Sequence, residues 1–223
     1  MELVVPKPRA SRRSVFLNIP YDKQFEKLYL AYIVGVSELG LTPKVTLGIP
    51  SGDSRLDRIF KLIQSSDFSV HDLSRVQLDR KPPATPRFNM PFELGLAIAW
   101  SKLHRRKHTC FVFEGINRRG HKSLSDLSGY DFYIHGATPR GVMRELCNAF
   151  VRSKNRPTVP QMMRTYRQLL AVKSKILESA GTADLFEARV FEDLVASVAL
   201  IREVVDSLDH NSHTPRFPRN VGV

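Results

Sequence analysis

Residues 67–73, DFSVHDL, and residues 89–100, NMPFELGLAIAW, stand either side of Ser74 and the Pro-rich stretch RVQLDRKPPATPRF. The first is short, apolar and ends in Asp72, and it reads as a buried strand. The second has helical spacing, with Asn89 placed to cap the helix and Pro91 tolerated in its first turn. This predicted helix runs to about residue 104. Working outward, the same strand–helix unit recurs. SVFLNIP (14–20) is a strand, and 22–39 is a helix with Phe25, Leu28, Tyr29, Tyr32, Ile33, Val36 and Leu39 on its apolar face, stopped at Gly40. Residues 43–48 form a second strand, and Ser54 caps a helix to about residue 65. TCFVFE (109–114) and DFYIH (131–135) are the fourth and fifth strands, and Thr138-Pro139 opens a helix to about residue 153. Strands alternating with helices in this way predict a flavodoxin-like α/β fold, with a five-stranded parallel sheet of order 2-1-3-4-5.

Beyond Pro157 the pattern is purely helical. Residues 159–178 and 183–209 form two helices joined at Ala180-Gly181-Thr182. Phe191, Leu194, Val198, Ile201, Val205 and Leu208 step by three and four along the second. This C-terminal helical hairpin packs on the α/β part or docks a partner or second copy. The predicted organisation is therefore a basic N-terminal tail (1–13), an α/β domain (14–154), the hairpin (156–210) and a loose tail (211–223).

The 223 residues are 42% hydrophobic and 25% charged, which suits an ordinary globular chain and excludes disordered, collagen-like and disulfide-scaffold classes. Lys plus Arg number 34 against 22 Asp plus Glu, a net charge of +12. Residues 1–150 hold 23 basic and 14 acidic side chains, and residues 151–223 hold 11 and 8, so most of the excess lies in the first part. It gathers at Lys7, Arg9, Arg12 and Arg13, at Lys102 and 105–107, and at Arg118, Arg119 and Lys122. No aromatic residues interleave these clusters as in a single-strand stacking platform, so a solvated basic face or a nucleic-acid patch both fit. Two cysteines, Cys110 and Cys147, indicate a reducing compartment. No membrane-length apolar run and no signal-peptide pattern occur, and a soluble cytoplasmic protein is the expectation.

In an open parallel sheet, ligands bind beyond the carboxyl ends of the strands where the winding reverses. For order 2-1-3-4-5 this is the gap between the first and third strands. Asn18 and Tyr21 follow from the first strand, Asp72 from the third, and Glu93 from the start of the following helix. Glu93 sits among apolar neighbours, where burial raises the pKa of a carboxylate and a helix N-terminus lowers it. An acid held in that balance, paired with Asp72 across the crevice, has the two-carboxylate logic of glycosidic cleavage. Glu93 as a plain first-turn helix stabiliser and Asp72 as a turn cap remain the alternatives. Asp131 fits either a place in the crevice or a turn. The seven histidines form no HExxH pair, and His104 and His108 are flanked by cations, so no metal site is expected. Neither GxGxxG nor a P-loop is present, and Ser66, Ser69 and Ser74 lack a nucleophile elbow.

SDFSVHDLSR, the Pro-rich loop and RFNMPFELGLAIA, together with the opening VFLNIPYD, resemble the nucleoside 2-deoxyribosyltransferase-like and bacterial TIR-like families over about residues 14–150. The resemblance implies N-glycosidic bond cleavage in a nucleoside, nucleotide or NAD-like molecule, in several members as an antiphage defence activity. It implies that Glu93 attacks or stabilises the ribosyl anomeric carbon, that Asp72 binds the base or a ribose hydroxyl, and that Asn18 and Tyr21 line the pocket. The Asp that deoxyribosyltransferases usually carry shortly before the Glu is absent, since Arg87, Phe88 and Asn89 stand there. Arg87 suits a phosphate, and with Arg75 and Asn89 completes the expected substrate-binding set, favouring a nucleotide or NAD as substrate with no separate cofactor. A non-catalytic nucleotide sensor signalling through helices 159–209, or a basic nucleic-acid-binding protein, are the other expectations.

Overall fold

The computed structural model describes residues 13–48, 54–76, 78–79, 82, 85–105 and 107–212. The rest of the N-terminal basic cluster, the tail from residue 213 and much of the Pro-rich loop lie outside the described residues. Five strands form one parallel sheet: β1 (Ser14–Asn18), β2 (Thr42–Lys44), β3 (Phe68–Asp72), β4 (Thr109–Glu114) and β5 (Phe132–Ile134). Their order is β2-β1-β3-β4-β5, and every neighbouring pair is parallel, as the alternation of elements predicts. The fold is flavodoxin-like α/β. A two-residue antiparallel ladder pairs Leu78–Asp79 with Thr85–Pro86 outside this sheet.

The helices are α1 (Glu26–Glu38), α2 (Arg55–Gln64), α3 (Asn89–Leu103), α4 (Arg119–Ser123), α5 (Pro139–Ala149), α6 (Val159–Ala180) and α7 (Ala188–Ser212). Local chemistry sets several ends. Ser54 caps α2 by accepting from the Asp57 N–H, and Thr138 caps α5 by accepting from Gly141 N–H at 3.0 Å, with Pro139 in the first turn. Thr158 and Gln161 form a capping box on α6, which stops at Gly181 in the left-handed region at φ 72°.

Several expectations need correction. The helix expected over 183–209 begins only at Ala188, because the Thr182 hydroxyl and the Asp184 carboxylate take the Asp184 and Phe186 N–H groups and hold the preceding residues as a turn. The strand expected over 43–48 is only Thr42–Lys44, since the chain turns into a 3₁₀ segment at Thr46–Gly48. The helix expected from residue 22 starts at Glu26, because the Asp22 carboxylate takes the Gln24 and Phe25 N–H groups and holds 22–25 as a turn. Asn89 does not cap α3. Phe88 already has helical dihedrals and its carbonyl accepts from Phe92 N–H at 3.0 Å, which makes Asn89 the first helical residue.

The sheet divides two packing layers. On one face, Phe16 packs with Ile59, Leu62 and Ile63 of α2 and Ala97 of α3. On the other lie α1 and α5, and α1 is buried almost all round, with Leu28 to Val36 continuously inaccessible. A helix apolar on every side needs cover on both. The sheet supplies one side. The α6–α7 hairpin supplies the other, placing Met162, Tyr166, Leu169, Leu185, Phe191, Leu194 and Val198 in the same apolar cluster as Val15, Tyr29 and Val142. No described helix is long and apolar enough to cross a membrane.

Candidate functional site

Strand order places the winding reversal between β1 and β3, and a cavity of about 290 Å³ opens there. Ile19, Pro20, Tyr21 and Asp22 reach it from the end of β1, and Arg75 comes from the turn after β3. Arg55 begins α2, while Arg87, Asn89 and Met90 surround the start of α3. Four residues expected at the site from sequence, Tyr21, Arg75, Arg87 and Asn89, thus share one cavity. Arg55 and Asp22 are additions. Three guanidinium groups converge here, two of them bridged by Asp22, whose Oδ2 lies 3.1 Å from Arg75 Nε and 3.7 Å from Arg87 Nη1. The α3 N-terminus has no side-chain cap, and its positive end adds to the field. Positive charge, two helix starts and partial enclosure make this an anion-binding arrangement.

Glu93 lies one helical turn beyond Asn89 and is buried, with only 3% of it exposed, so it and Asn18, both expected in the crevice, do not line the cavity itself. Its Oε1 is 3.8 Å from Arg55 Nη2, and its Oε2 has no hydrogen-bond partner among the described residues. Burial pushes the Glu93 pKa above the ordinary carboxylate value, while the neighbouring Asn18 amide and the Arg55 guanidinium partly oppose that rise. An under-solvated carboxylate with an unused lone pair beside a cationic cavity is poised to bind or attack an electron-poor centre.

Asn18 ends β1 and connects Glu93 to a buried polar chain. Its Nδ2 lies 2.9 Å from His71 Nδ1, His71 Nε2 lies 3.0 Å from Ser69 Oγ, Ser69 Oγ lies 2.9 Å from His108 Nε2, and His108 Nδ1 lies 2.8 Å from the Ser66 carbonyl. All five residues are buried. Burial holds His71 neutral, with its pKa lowered to about 3, and lowers that of His108 as well. The sequence contains a signal for this chain, since Ser69 and His71 are polar at alternate positions of a buried strand.

Asp72 does not join Glu93. Side chains alternate along a strand, so Asp72 faces away from His71 and Asn18. Asn18 pairs in register with His71, on the α2–α3 face where His71 meets Phe16, whereas Asp72 points to α1 and α5. There Tyr32 Oη donates to its Oδ2 at 2.7 Å, Ser74 N–H donates to its Oδ1 at 2.8 Å, and His135 Nε2 lies 3.2 Å from Oδ2. It is completely buried. The expectation of two carboxylates facing across one crevice is therefore corrected. Nor do Ser74, His135 and Asp72 make a hydrolase triad. His135 Nε2 serves both Ser74 Oγ and Asp72, while Nδ1 accepts from Ala137 N–H, so no ring nitrogen is left to act as a base on the serine.

Tyr21 stands at the cavity with its hydroxyl accepting from Thr46 Oγ1 at 3.3 Å, and its ring lies 6.0 Å from that of Phe186 in the α6–α7 connection. Part of the basic excess is spent internally. Arg119 clamps the fully buried Glu114 at the end of β4, which also accepts from the Gly115 and Ile116 N–H groups, and Arg13 lies over the Phe68 ring. Neither protein-family models nor curated proteins give a match to this chain.

Proposed function

We propose that the protein binds a phosphate-bearing nucleotide or NAD-like molecule in the Arg55–Arg75–Arg87 cavity and cleaves its N-glycosidic bond, with Glu93 as the acting carboxylate. The observation that carries this reading is the buried Glu93 Oε2, without a hydrogen-bond partner among the described residues, on a carboxylate whose ion-pair partner Arg55 lines the cavity with Arg75 and Arg87. The arginines hold phosphate oxygens. Asn89 and Tyr21 contact the sugar or base, and the Asn18 amide orients Glu93. Arg55 is half exposed and is the ion-pair partner of Glu93, so a phosphate that draws Arg55 outward opens the way to the carboxylate. Glu93 Oε2 then bonds to the anomeric carbon as the carbon–nitrogen bond breaks. The base leaves with the bonding electron pair, and water completes hydrolysis by displacing the carboxylate. Asp72 holds β3 to α1 and takes no part in this step. Chromatography of NAD, nucleoside phosphates and free nucleosides incubated with the protein tests the reading. Release of base from phosphate-bearing substrates supports it, and an absence of release across the whole panel counts against it.

A second reading is a sensor that binds the same ligand without turnover. The packing of Tyr21 against Phe186 favours it, because a ring at the cavity touches the hairpin connection. Thermal stabilisation by a nucleotide that is recovered intact identifies this case.

A further inference from the structure

The buried chain running from the Ser66 carbonyl to Asn18 has a direction, and one atom fixes it. A carbonyl oxygen only accepts, so His108 Nδ1 carries the proton at its 2.8 Å contact. His108 is held neutral by burial, which leaves Nε2 as an acceptor. The Ser69 hydroxyl must then donate to His108 and accept from His71 Nε2–H. His71, also neutral, is left with an acceptor at Nδ1, and only the amide nitrogen of Asn18 can satisfy it. Each donor choice forces the next, over four hydrogen bonds and three elements. The amide of Asn18 is thus fixed with its nitrogen inward. One of its two N–H groups is used on His71, and the other is free to serve the neighbouring carboxylate.

We infer that His108, Ser69 and His71 are positioning residues, which latch the Asn18 amide in the one orientation that presents N–H, and not the carbonyl, to Glu93. This rests on the reading of Glu93 as the acting carboxylate. A reversed Asn18 amide would turn its oxygen toward both the His71 lone pair and the Glu93 carboxylate, two acceptors with no proton between them. The other groups that bear on Glu93 are Arg55 from α2 and Tyr21 beyond β1, and neither touches the chain. The Cys110 thiol that also meets Ser69 is itself kept neutral by burial, which pushes its pKa up to about 12, so the relay consists of neutral groups and its effect on Glu93 is exerted through geometry and not through a charge.

Two measurements test the latch without depending on turnover. In the intact protein, nitrogen-15 NMR of labelled histidines reads the tautomers. The latch requires Nε2–H on His71 and Nδ1–H on His108, and the opposite tautomer on either residue overturns it. Carbon-13 NMR of the Glu93 carboxyl, assigned by its loss in Glu93→Gln, reads the second consequence. Ser69→Ala breaks the chain and shifts the Glu93 midpoint to higher pH, as Asn18→Ala does, while Ser69→Thr keeps the hydroxyl and the parent midpoint. A Glu93 midpoint unmoved by Ser69→Ala overturns the inference. Should Ser69→Ala fail to fold, the tautomers of the parent decide alone. Base release adds a third readout: kcat falls about 10-fold to 100-fold in Ser69→Ala, as for a modestly misplaced reacting group, with recovery in Ser69→Thr. If the parent releases no base while tautomers and midpoints behave as stated, the cleavage reading fails and the latch stands.

Discussion

Replacing Asp72 with alanine should unfold the protein more readily without touching the proposed chemistry. The carboxylate is fully buried and is held by three partners: the Tyr32 hydroxyl at 2.7 Å, the Ser74 N–H at 2.8 Å and His135 Nε2 at 3.2 Å. Truncation strands these groups in the interior. Each buried polar group left unsatisfied costs about 1–3 kcal/mol, and relaxation or an entering water recovers part of that. Hydrogen bonds to a charged group are worth about 1.5–3 kcal/mol each, and with three of them lost and part recovered by relaxation the expected loss for Asp72→Ala is about 3–5 kcal/mol. For a chain of this size such a loss lowers the melting temperature by roughly 6–20 °C. Glu93→Gln should behave in the opposite way, because it removes a buried charge whose Oε2 has no partner among the described residues, and stability should hold or rise. Urea denaturation of both variants, read by circular dichroism, gives the two shifts directly. If Asp72→Ala lies within about 1 kcal/mol of the parent, the three contacts are not the anchor described and the structural role assigned to Asp72 is wrong.

The arginines of the cavity should each matter to anion affinity. Arg75→Ala and Arg87→Ala should weaken nucleotide binding about 10-fold to 100-fold by calorimetry, the scale of a lost charge-assisted hydrogen bond of about 1.5–3 kcal/mol. His71 has a pKa near 3 in the folded protein against an ordinary 6.5, so the unfolded chain takes up a proton that the native state refuses. The stability this contributes is present above pH 6.5 and is lost as the pH falls toward 3, at about 1.4 kcal/mol per pH unit. Urea titrations of the parent and of His71→Gln across that window should show a flatter acid limb in the variant. Gly141→Ala should be severely destabilising, because a Cβ there would lie 1.8 Å from the His135 carbonyl oxygen, a backbone atom that cannot step aside. A thermal melt checks this.

The parallel order was legible because each apolar run of strand length is followed by a helical one, and the crossover rule does the rest. The position of the cavity followed from that order alone, and Tyr21, Arg75, Arg87 and Asn89 were found on it. The pairing of Asp72 with Glu93 failed on alternation. Position 71, not 72, shares a sheet face with Asn18, and only strand register decides which of two adjacent polar residues points to which layer. The Ser66–His108–Ser69–His71 chain was hidden for a related reason. His108 comes 37 residues after His71 in the sequence, and its role depends on where the turn before β4 falls. Arg55 carries no signal of its own in the sequence, where it simply follows the Ser54 helix cap. The covering role of the hairpin was written in the sequence at residues 28–36, LYLAYIVGV, since a helix with no polar side cannot rest on one sheet and face water on the other.

Glu93→Gln isolates the proposed role of the carboxylate. The variant keeps the size of the side chain and removes only the charge. Binding of a nucleotide and release of its base should be measured side by side in parent and variant. Nucleotide affinity should stay close to that of the parent, because the arginines are intact, while base release slows at least about 100-fold. Base release at the parental rate from Glu93→Gln would contradict that role, and the chemistry would have to be sought in another group around the cavity.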